Sequence, residues 1–187
     1  MSEIVSEAKK ALRVQILANR SENLATQTKD QFAKALLEHA SKQSAGTIGC
    51  YLSFGSEPAT DNFIDLAQAE GIAIACPRIE SDGRMVMAIL ESETRQSALG
   101  FREPTGQVIG PEDLDLIIVP ALAIDHKGQR LGRGAGYFDR YLENYKGSTV
   151  GLVYDAEFLP EVPSEAHDAP VSQVVTQSRT ISIPFER

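Results

Sequence analysis

The feature that most constrains the fold of this chain is a series of short apolar runs that are typical of buried β-strands. The clearest run covers 114–119 and is closed by Pro120. Similar runs recur along the rest of the chain, at 47–52, 72–76, 85–90, 148–154, 171–176 and 180–183. Because the runs are apolar throughout rather than alternating with polar residues, they favour strands that are covered on both faces.

Helical patterns separate these runs. Apolar residues recur at helical spacing over 6–20, 28–42 and 61–70, and a further helix is predicted over 136–145. Strands that alternate with helices predict an α/β fold, here a three-layer, Rossmann-like sandwich with a mainly parallel sheet flanked by helices and with an N-terminal helical segment. The polar stretch 91–114, rich in Gly and Pro, predicts a loop.

The length fits one domain that spans residues 1–187. The charge balance limits its partners, since 26 acidic and 18 basic residues give a formal net charge of −8. Such a surface repels nucleic acid, so we expect no nucleic-acid partner. An anionic substrate would need a local basic site. The segment 125–140 provides one, with Lys127, Arg130, Arg133 and Arg140 against Asp125 and Asp139.

The cysteines and the N-terminal residues indicate the cellular compartment of the protein. Cys50 and Cys76 lie within apolar runs and outside any C-x-x-C pair, so zinc and dithiol redox chemistry have no support. The first residues lack the basic and apolar regions of a signal peptide, and no run is long enough to span a membrane. We therefore expect a cytoplasmic protein without a membrane partner.

The densest chemical signal is a glycine-rich segment that follows the clearest strand. Gly132, Gly134 and Gly136 would let backbone N–H groups converge on an anion without side-chain obstruction. The helix predicted next adds further N–H groups, and Arg130 and Arg133 add fork-shaped cations. This pattern predicts a triphosphate site at the carboxyl end of a strand. The P-loop lysine and the dinucleotide spacing are both absent, so a flexible loop with a solvated basic face is the alternative.

Asp139 lies in the first turn of the helix predicted after the glycines. A carboxylate at that position can complement the helix dipole. It can equally hold Mg²⁺ against a triphosphate, because Mg²⁺ binds one or two carboxylates together with phosphate oxygens. Position alone leaves both interpretations open.

The segment 120–140 resembles the signature of the 5-formyltetrahydrofolate cyclo-ligases, also called methenyltetrahydrofolate synthetases. That signature is approximately P-G-x-x-F-D-x-x-G-x-R-L-G-x-G-x-G-Y-Y-D. The matching positions are Pro120, Asp125, Gly128, Arg130, Leu131, Gly132, Gly134, Gly136, Tyr137 and Asp139. The chain departs from the signature at Ala121, Ile124 and Phe138, and Phe138 lacks the hydroxyl of the second tyrosine.

The resemblance extends over nearly the whole chain. Residues 9–13 resemble the family's N-terminal basic helix, which contributes to the nucleotide site, and Lys9 and Arg13 would share one helix face. The segment from Leu52 to Glu57 resembles the folate-binding segment. Residues 100–104 resemble a G-x-x-E-P element, and residues 163–168 resemble a P-x-x-x-H-D element.

The resemblance implies an ATP-dependent enzyme that closes 5-formyltetrahydrofolate to 5,10-methenyltetrahydrofolate, with Mg²⁺ as cofactor. It implies catalytic roles for Arg133 and Tyr137 and metal contacts from Asp139 and Asp168. The implied ATP-binding residues are Lys9, Lys10, Ala11, Leu12, Arg13, Arg130, Leu131, Gly132, Arg133, Gly134, Ala135, Gly136, Tyr137 and Phe138. The implied folate-binding residues are Leu52, Glu57, Arg133, Gly134, Ala135, Gly136 and Tyr137. ATP and 5-formyltetrahydrofolate, polyglutamylated forms included, are the expected partners of a monomer.

Two functions of other classes remain open. One is a non-catalytic protein that binds a nucleotide or a folate on the same scaffold. The other is an ATP-independent enzyme of similar α/β build, related to sugar-phosphate isomerases or CoA-transferases. The dense basic glycine segment followed by Asp139 is the sequence feature that argues against the second.

Overall fold

An eight-stranded sheet forms the centre of the protein in a computed structural model that describes residues 2–97 and 100–184. The helices are α1 (Ser2–Asn19), α2 (Glu22–Gln43), α3 (Asp61–Ala69) and α4 (Tyr137–Leu142). The strands are β1 (Thr47–Cys50), β2 (Ala73–Ile79), β3 (Met85–Ile89), β4 (Thr94–Gln96), β5 (Arg102–Pro104), β6 (Val108–Ile109), β7 (Leu116–Pro120), β8 (Ala123–Asp125), β9 (Arg130–Leu131), β10 (Ser148–Leu152), β11 (Phe158–Leu159), β12 (Gln173–Val175) and β13 (Thr180–Ser182). None of the helices in this described part is both long and apolar enough to cross a membrane.

The strand pairing confirms the predicted mainly parallel sheet. The order is β13-β12-β10-β7-β1-β2-β3-β6. The five strands from β12 to β2 are parallel, and each of the outer strands β13, β3 and β6 pairs antiparallel with its inner neighbour. Leu116 and Ile118 of β7 pack with α2 and α3, whereas Ile117 and Val119 pack with Leu142 of α4 on the opposite face. Both faces are covered, which explains why the strands are apolar throughout.

The ends of three helices differ from the prediction. α1, predicted over 6–20, begins at Ser2 and ends at Asn19. α2 begins at Glu22 instead of 28, because Ser21 caps it and its side chain accepts a hydrogen bond from the Leu24 amide at 3.3 Å. The helix predicted over 136–145 begins at Tyr137 and already ends at Leu142. The short α4 therefore offers a smaller helix dipole to the glycine segment than the sequence indicated.

β2 continues through Pro77 to Ile79, beyond the strand predicted over 72–76. β1 pairs with β2 only as far as Ala75, whereas β3 pairs with β2 from Ala75 to Ile79. Beyond Ala75, no strand among the described residues is hydrogen-bonded to the edge of β2 that faces β1. The N–H that Pro77 lacks is therefore not needed by a neighbour, so the strand can continue through it.

The prediction of a loop over 91–114 was wrong. This stretch contains the β4–β5 hairpin and β6, which extends the main sheet beside β3. The buried carboxylate of Glu103 holds the hairpin to β2, since it accepts a hydrogen bond from the Ile79 amide at 2.9 Å and pairs with Arg95 at 3.2 Å. A polar anchor of this kind leaves no periodic apolar signal in the sequence.

A second, three-stranded sheet forms from segments after Pro120 for which the sequence predicted no strand. It has the order β11-β8-β9. α1 packs Ile16 against this sheet beside Leu122 and Leu131. At the end of α1 the buried guanidinium of Arg20 donates two hydrogen bonds to Glu157, at 2.7 and 2.8 Å, and one to the Ala121 carbonyl at 2.7 Å. Arg20 thereby fastens α1 to the body of the protein.

We expect Arg20→Ala to lower the free energy of unfolding by about 3–5 kcal/mol, because it leaves the buried Glu157 carboxylate without its cation. Urea unfolding at neutral pH measures this loss. The control is Arg84→Ala, which removes an arginine whose side chain is 76% exposed in its pair with Asp82. We expect the control to leave the free energy of unfolding nearly unchanged, because solvent screens an ion pair as exposed as this one. Equal effects of the two substitutions would contradict the anchoring role of Arg20.

Candidate active site

The carboxyl ends of β1, β2 and β7 open into a cavity of about 770 Å³. Parallel strands bring their carboxyl ends to one edge of the sheet, which is where open α/β sheets bind ligands. α1 borders the cavity on one side and the glycine segment 132–136 borders it on another. β5 and the facing ends of β2 and β3 form a third flank. The volume is typical of small-molecule sites, which span about 300–1,000 Å³.

The cavity gathers most of the residues that the sequence indicated. Those that line it are Lys9, Arg13, Leu52, Glu57, Arg130, Leu131, Gly132, Arg133, Gly134, Ala135, Gly136, Tyr137, Phe138, Asp139 and Asp168. Lys10, Ala11 and Leu12 do not line it: Lys10 and Ala11 are exposed, and Leu12 packs beside Ile16. The difference follows from helix geometry, because positions four residues apart share a face and their neighbours do not.

Two glycines of the segment adopt backbone conformations that suit glycine alone. Gly134 has φ of +106° and Gly136 has φ of +68°. Each also lies against an arginine, because a Cβ at Gly134 would be 3.4 Å from Cζ of Arg13 and a Cβ at Gly136 would be 2.8 Å from Nη1 of Arg140. The segment therefore places two guanidinium groups directly against bare backbone.

Arg13 and Arg140 keep their charges available. Arg13 donates from Nε to the Gly132 carbonyl at 2.9 Å, and Arg140 lies over the Tyr137 ring with 5.2 Å between Cζ and the ring centroid. Within the described residues, neither guanidinium forms an ion pair with a carboxylate. These two cations are thus the ones best placed to meet an anion at the glycine segment.

Glu57 and Arg133 meet in the cavity although 76 residues separate them in the chain. Nε of Arg133 donates to Oε1 of Glu57 at 2.8 Å, and the Phe54 amide donates to Oε2 at 3.0 Å. The Glu57 side chain is 12% exposed and that of Arg133 is 46% exposed. Glu57 therefore orients Arg133 and leaves both Nη groups of the guanidinium unused by this pair.

Arg130 is the partner of Asp139. Its side chain is 3% exposed, and Nη2 donates to Oδ1 of Asp139 at 2.6 Å. The Ala169 amide donates to the same oxygen at 3.3 Å. Burial lowers the pKa of Arg130, although the Asp139 charge opposes this shift. Partnership with a buried arginine is a role of Asp139 that we did not derive from the sequence.

Lys9 joins α1 to the segment that contains Asp168. Its ammonium group donates to Oδ2 of Asp168 at 2.6 Å and to Oε2 of Glu165 at 2.9 Å. The Glu165 amide also donates to Oδ2 of Asp168, at 2.7 Å. Burial opposes ionisation, but the hydrogen bonds more than offset it, so the pKa of Asp168 is lowered and that of Lys9 is raised. Both groups are therefore charged at neutral pH.

Two of the signature residues are structural. The buried Asp125 carboxylate accepts hydrogen bonds from three backbone amides, those of Lys127, Gln129 and Val162, at 2.8, 3.0 and 3.0 Å. Gly128 has φ of +76°, and a Cβ there would be 2.3 Å from the carbonyl oxygen of Val171. Both residues shape the turn that leads to the glycine segment, so they do not contribute to the basic site.

The flank formed by β2, β3 and β5 was missed by the sequence analysis. It consists of Ile79, Met85, Phe101 and Arg102, and Phe54 lies at the rim with 56% of its surface exposed. Apolar lining residues have no distinguishing spacing, so only the G-x-x-E-P element, which contains Phe101 and Arg102, marked this flank. The cavity thus joins a cationic glycine segment to an apolar, aromatic flank.

The cavity lies at the carboxyl edge of the parallel sheet of an α/β protein. It combines a cationic site that suits an anionic ligand with an apolar, aromatic site that suits a flat ligand. The sequence profile described as the 5-formyltetrahydrofolate cyclo-ligase family matches residues 5–177. The chain therefore belongs to the 5-formyltetrahydrofolate cyclo-ligase family, and it is an enzyme of the ligase class.

Named relatives and a solved structure agree with this assignment. The chain is 33% identical to a 5-formyltetrahydrofolate cyclo-ligase of Mycolicibacterium smegmatis, in an alignment that covers 93% of this chain and 96% of the relative. It is 31% identical to the Escherichia coli K12 enzyme of the same name, over 80% and 87% of the two chains. The Aquifex aeolicus 5,10-methenyltetrahydrofolate synthetase superposes with a TM-score of 0.83 at 26% identity, over 98% of this chain and 95% of that one.

The Lys9–Asp168 pair gives a testable pH dependence. Because the pKa of Asp168 is lowered on folding, its stabilisation is present above the unfolded value, about 3.9, and is lost as the pH falls through the folded value. The raised pKa of Lys9 preserves the pair below about pH 10. We expect Asp168→Asn to lower the free energy of unfolding by about 1–2 kcal/mol across neutral pH.

The difference between wild type and Asp168→Asn should shrink as the pH falls below about 4, because Asp168 then becomes protonated first in the unfolded chain and, at lower pH, in the folded protein. Urea unfolding at a series of pH values measures it. A difference that stays constant down to about pH 2 would show that the ionised carboxylate does not stabilise the fold.

Proposed function

We propose that this enzyme uses ATP to close 5-formyltetrahydrofolate to 5,10-methenyltetrahydrofolate, with release of ADP and phosphate. One observation carries the proposal: Glu57, from the segment that resembles a folate site, contacts Arg133 of the segment that resembles a nucleotide site. Family membership supports the activity, since two bacterial relatives have the name 5-formyltetrahydrofolate cyclo-ligase. We propose the cytoplasm as its compartment and a monomer as its working form.

The chemistry explains why ATP is required. The N5-formyl group is amide-like, and resonance makes its carbon a poor electrophile. Transfer of the γ-phosphoryl group to the formyl oxygen releases ADP and gives an iminium phosphate. N10 then attacks the carbon, the C–O bond breaks, phosphate leaves with the former formyl oxygen, and N10 loses its proton. Such transfers depend on positioning and charge neutralisation, so no covalent nucleophile is needed.

Arg133 is proposed to neutralise charge on the phosphoryl group in transfer. Its Nε is held by Glu57, which leaves the two Nη groups to donate to phosphate oxygens. Each carboxylate oxygen of Glu57 retains a lone pair, so Glu57 can also accept a hydrogen bond from the reduced pteridine. Tyr137, which lines the cavity beneath Arg140, is proposed to pack against the reacting centre.

The triphosphate is proposed to lie along the glycine segment. Arg13 beside Gly134 and Arg140 beside Gly136 supply positive charge where the backbone is bare. α4 has only six residues, so these two cations contribute more than its dipole. Arg130, which is buried against Asp139, acts by holding that carboxylate in place.

Asp139 and Asp168 fit the role of Mg²⁺ contacts. Among the residues that the structure describes, the hydrogen bonds to each carboxylate fall on one oxygen, Oδ1 of Asp139 and Oδ2 of Asp168, so the second oxygen can bind a cation. In the part of the chain that the structure describes, no three His, Cys, Asp or Glu side chains are grouped to hold a metal. Mg²⁺ takes one or two carboxylates and completes its shell with phosphate and water oxygens, so Asp139 and Asp168 would be enough as protein ligands. The ion would neutralise phosphate charge during transfer.

The proposed activity is tested by mixing the protein with MgATP and 5-formyltetrahydrofolate. We expect the near-ultraviolet absorbance of the methenyl product to appear together with one ADP per product. Omission of ATP should abolish both signals. Binding of both ligands without turnover would support the non-catalytic alternative, and product formation without ATP would contradict the proposed role of phosphoryl transfer.

Gly134→Ala should weaken ATP binding by about tenfold or more, because a residue with a Cβ is strained at φ of +106° and the backbone beside Arg13 must shift to relieve that strain. Isothermal calorimetry with MgATP measures the dissociation constant. The matched control is Gly83→Ala, which places the same strain at φ of +81° where a Cβ would meet nothing within 4 Å. If both variants bind ATP like the wild type, the glycine segment does not contact the nucleotide.

A further inference from the structure

The cavity holds one cation that the proposed reaction does not use. Among the described lining residues, the lysines and arginines are Lys9, Arg13, Arg130, Arg133, Arg140 and Arg102. The first five come from α1 or from the segment 130–140, and they lie at or near the glycine segment. Arg102 alone comes from β5, on the apolar flank.

Arg102 is held only loosely. Its Nη2 donates to Oδ1 of Asp61 at 2.6 Å, and the two side chains are 47% and 50% exposed. Ion pairs exposed to this degree contribute little net free energy, so the carboxylate of a ligand can displace Asp61 or share the guanidinium with it. Asp61 keeps another partner when this happens, because its Oδ2 accepts from the Ser53 hydroxyl at 2.9 Å.

The surroundings of Arg102 suit a ligand that is aromatic next to its carboxylate. Phe101 precedes it, Met85 and Ile79 line the same flank, and Phe54 stands 56% exposed at the rim. An exposed aromatic side chain that borders a cavity offers a ring face for stacking. A flat ring between these side chains would direct its substituent towards Arg102.

A second, smaller cavity of about 270 Å³ begins at Arg102 and limits how far such a ligand can extend. It shares Leu52 and Arg102 with the main cavity, and its other lining includes Asp61, Asp65 and Glu91. A carboxylate that moved past Arg102 would meet these acidic side chains. The electrostatics therefore favour a carboxylate that stops at the guanidinium.

We propose that Arg102 is a specificity-determining residue that binds a carboxylate of the substrate's glutamyl moiety, with the p-aminobenzoyl ring packed along Phe101 and Phe54. This inference rests on the proposed function, because it takes 5-formyltetrahydrofolate as the substrate. It assigns the pteridine to Glu57 and the glutamate to Arg102, both of which line the cavity. A protein of net charge −8 needs such a local cation to attract an anionic tail.

The test compares two substrates that differ only in the glutamate, 5-formyltetrahydrofolate and 5-formyltetrahydropteroate. We expect Arg102→Ala to raise KM for the first by about tenfold, with kcat changed by less than about twofold. KM for the pteroate and KM for ATP should not change. Asp61→Asn should lower KM for 5-formyltetrahydrofolate, since it removes the competing carboxylate. Arg84→Ala, an exposed arginine paired with Asp82, is the control.

An equal rise in KM for both substrates would overturn the proposal, because Arg102 would then act through packing. A rise in KM for ATP would overturn it as well and would assign Arg102 to the nucleotide. If the wild type showed no turnover, the proposed reaction would fail, and calorimetry with 5-formyltetrahydrofolate would still decide the role of Arg102. If Arg102→Ala bound 5-formyltetrahydrofolate as tightly as the wild type, or if the wild type did not bind it, the proposed role of Arg102 would be rejected.

Discussion

The parallel pairing of β1, β2 and β7 is the constraint on which the rest of this structure depends. It brings the residues that follow each strand to a single edge of the sheet. Glu57 follows β1 and Arg133 lies beyond β7, so two side chains that are far apart in sequence meet at 2.8 Å. The proposed reaction needs this convergence, because a phosphoryl donor and its acceptor must lie within contact distance.

Charge compensation organises the site around that edge. Lys9 pairs with Asp168, Arg130 with Asp139 and Arg133 with Glu57, so three cations are fixed in place by carboxylates. Arg13 and Arg140 lie against the glycine segment, where a ligand can supply the negative charge. α1 contributes two of these five cations, which explains why its attachment through the buried Arg20–Glu157 pair matters for the site.

Much of this could be predicted from the sequence, because buried parallel strands are apolar and glycine segments are distinctive. The parallel sheet followed from local patterns, and the shared helix face of Lys9 and Arg13 followed from their spacing. Their place at the nucleotide site was indicated by the family resemblance alone. The β4–β5 hairpin did not, because the Glu103 carboxylate that holds it bonds to Ile79 in a distant segment. Nor did the burial of Arg130, since an arginine in a glycine-rich segment has the same sequence pattern whether it faces a ligand or a carboxylate.

The central claim is that the site phosphorylates the formyl oxygen of 5-formyltetrahydrofolate before ring closure. Single turnover with substrate labelled by ¹⁸O at the formyl group tests it most directly. We expect the label to appear in inorganic phosphate, as measured by mass spectrometry or by the isotope shift in ³¹P nuclear magnetic resonance. Label released into water, with unlabelled phosphate, would contradict the account, because the oxygen would then have left without a bond to phosphorus.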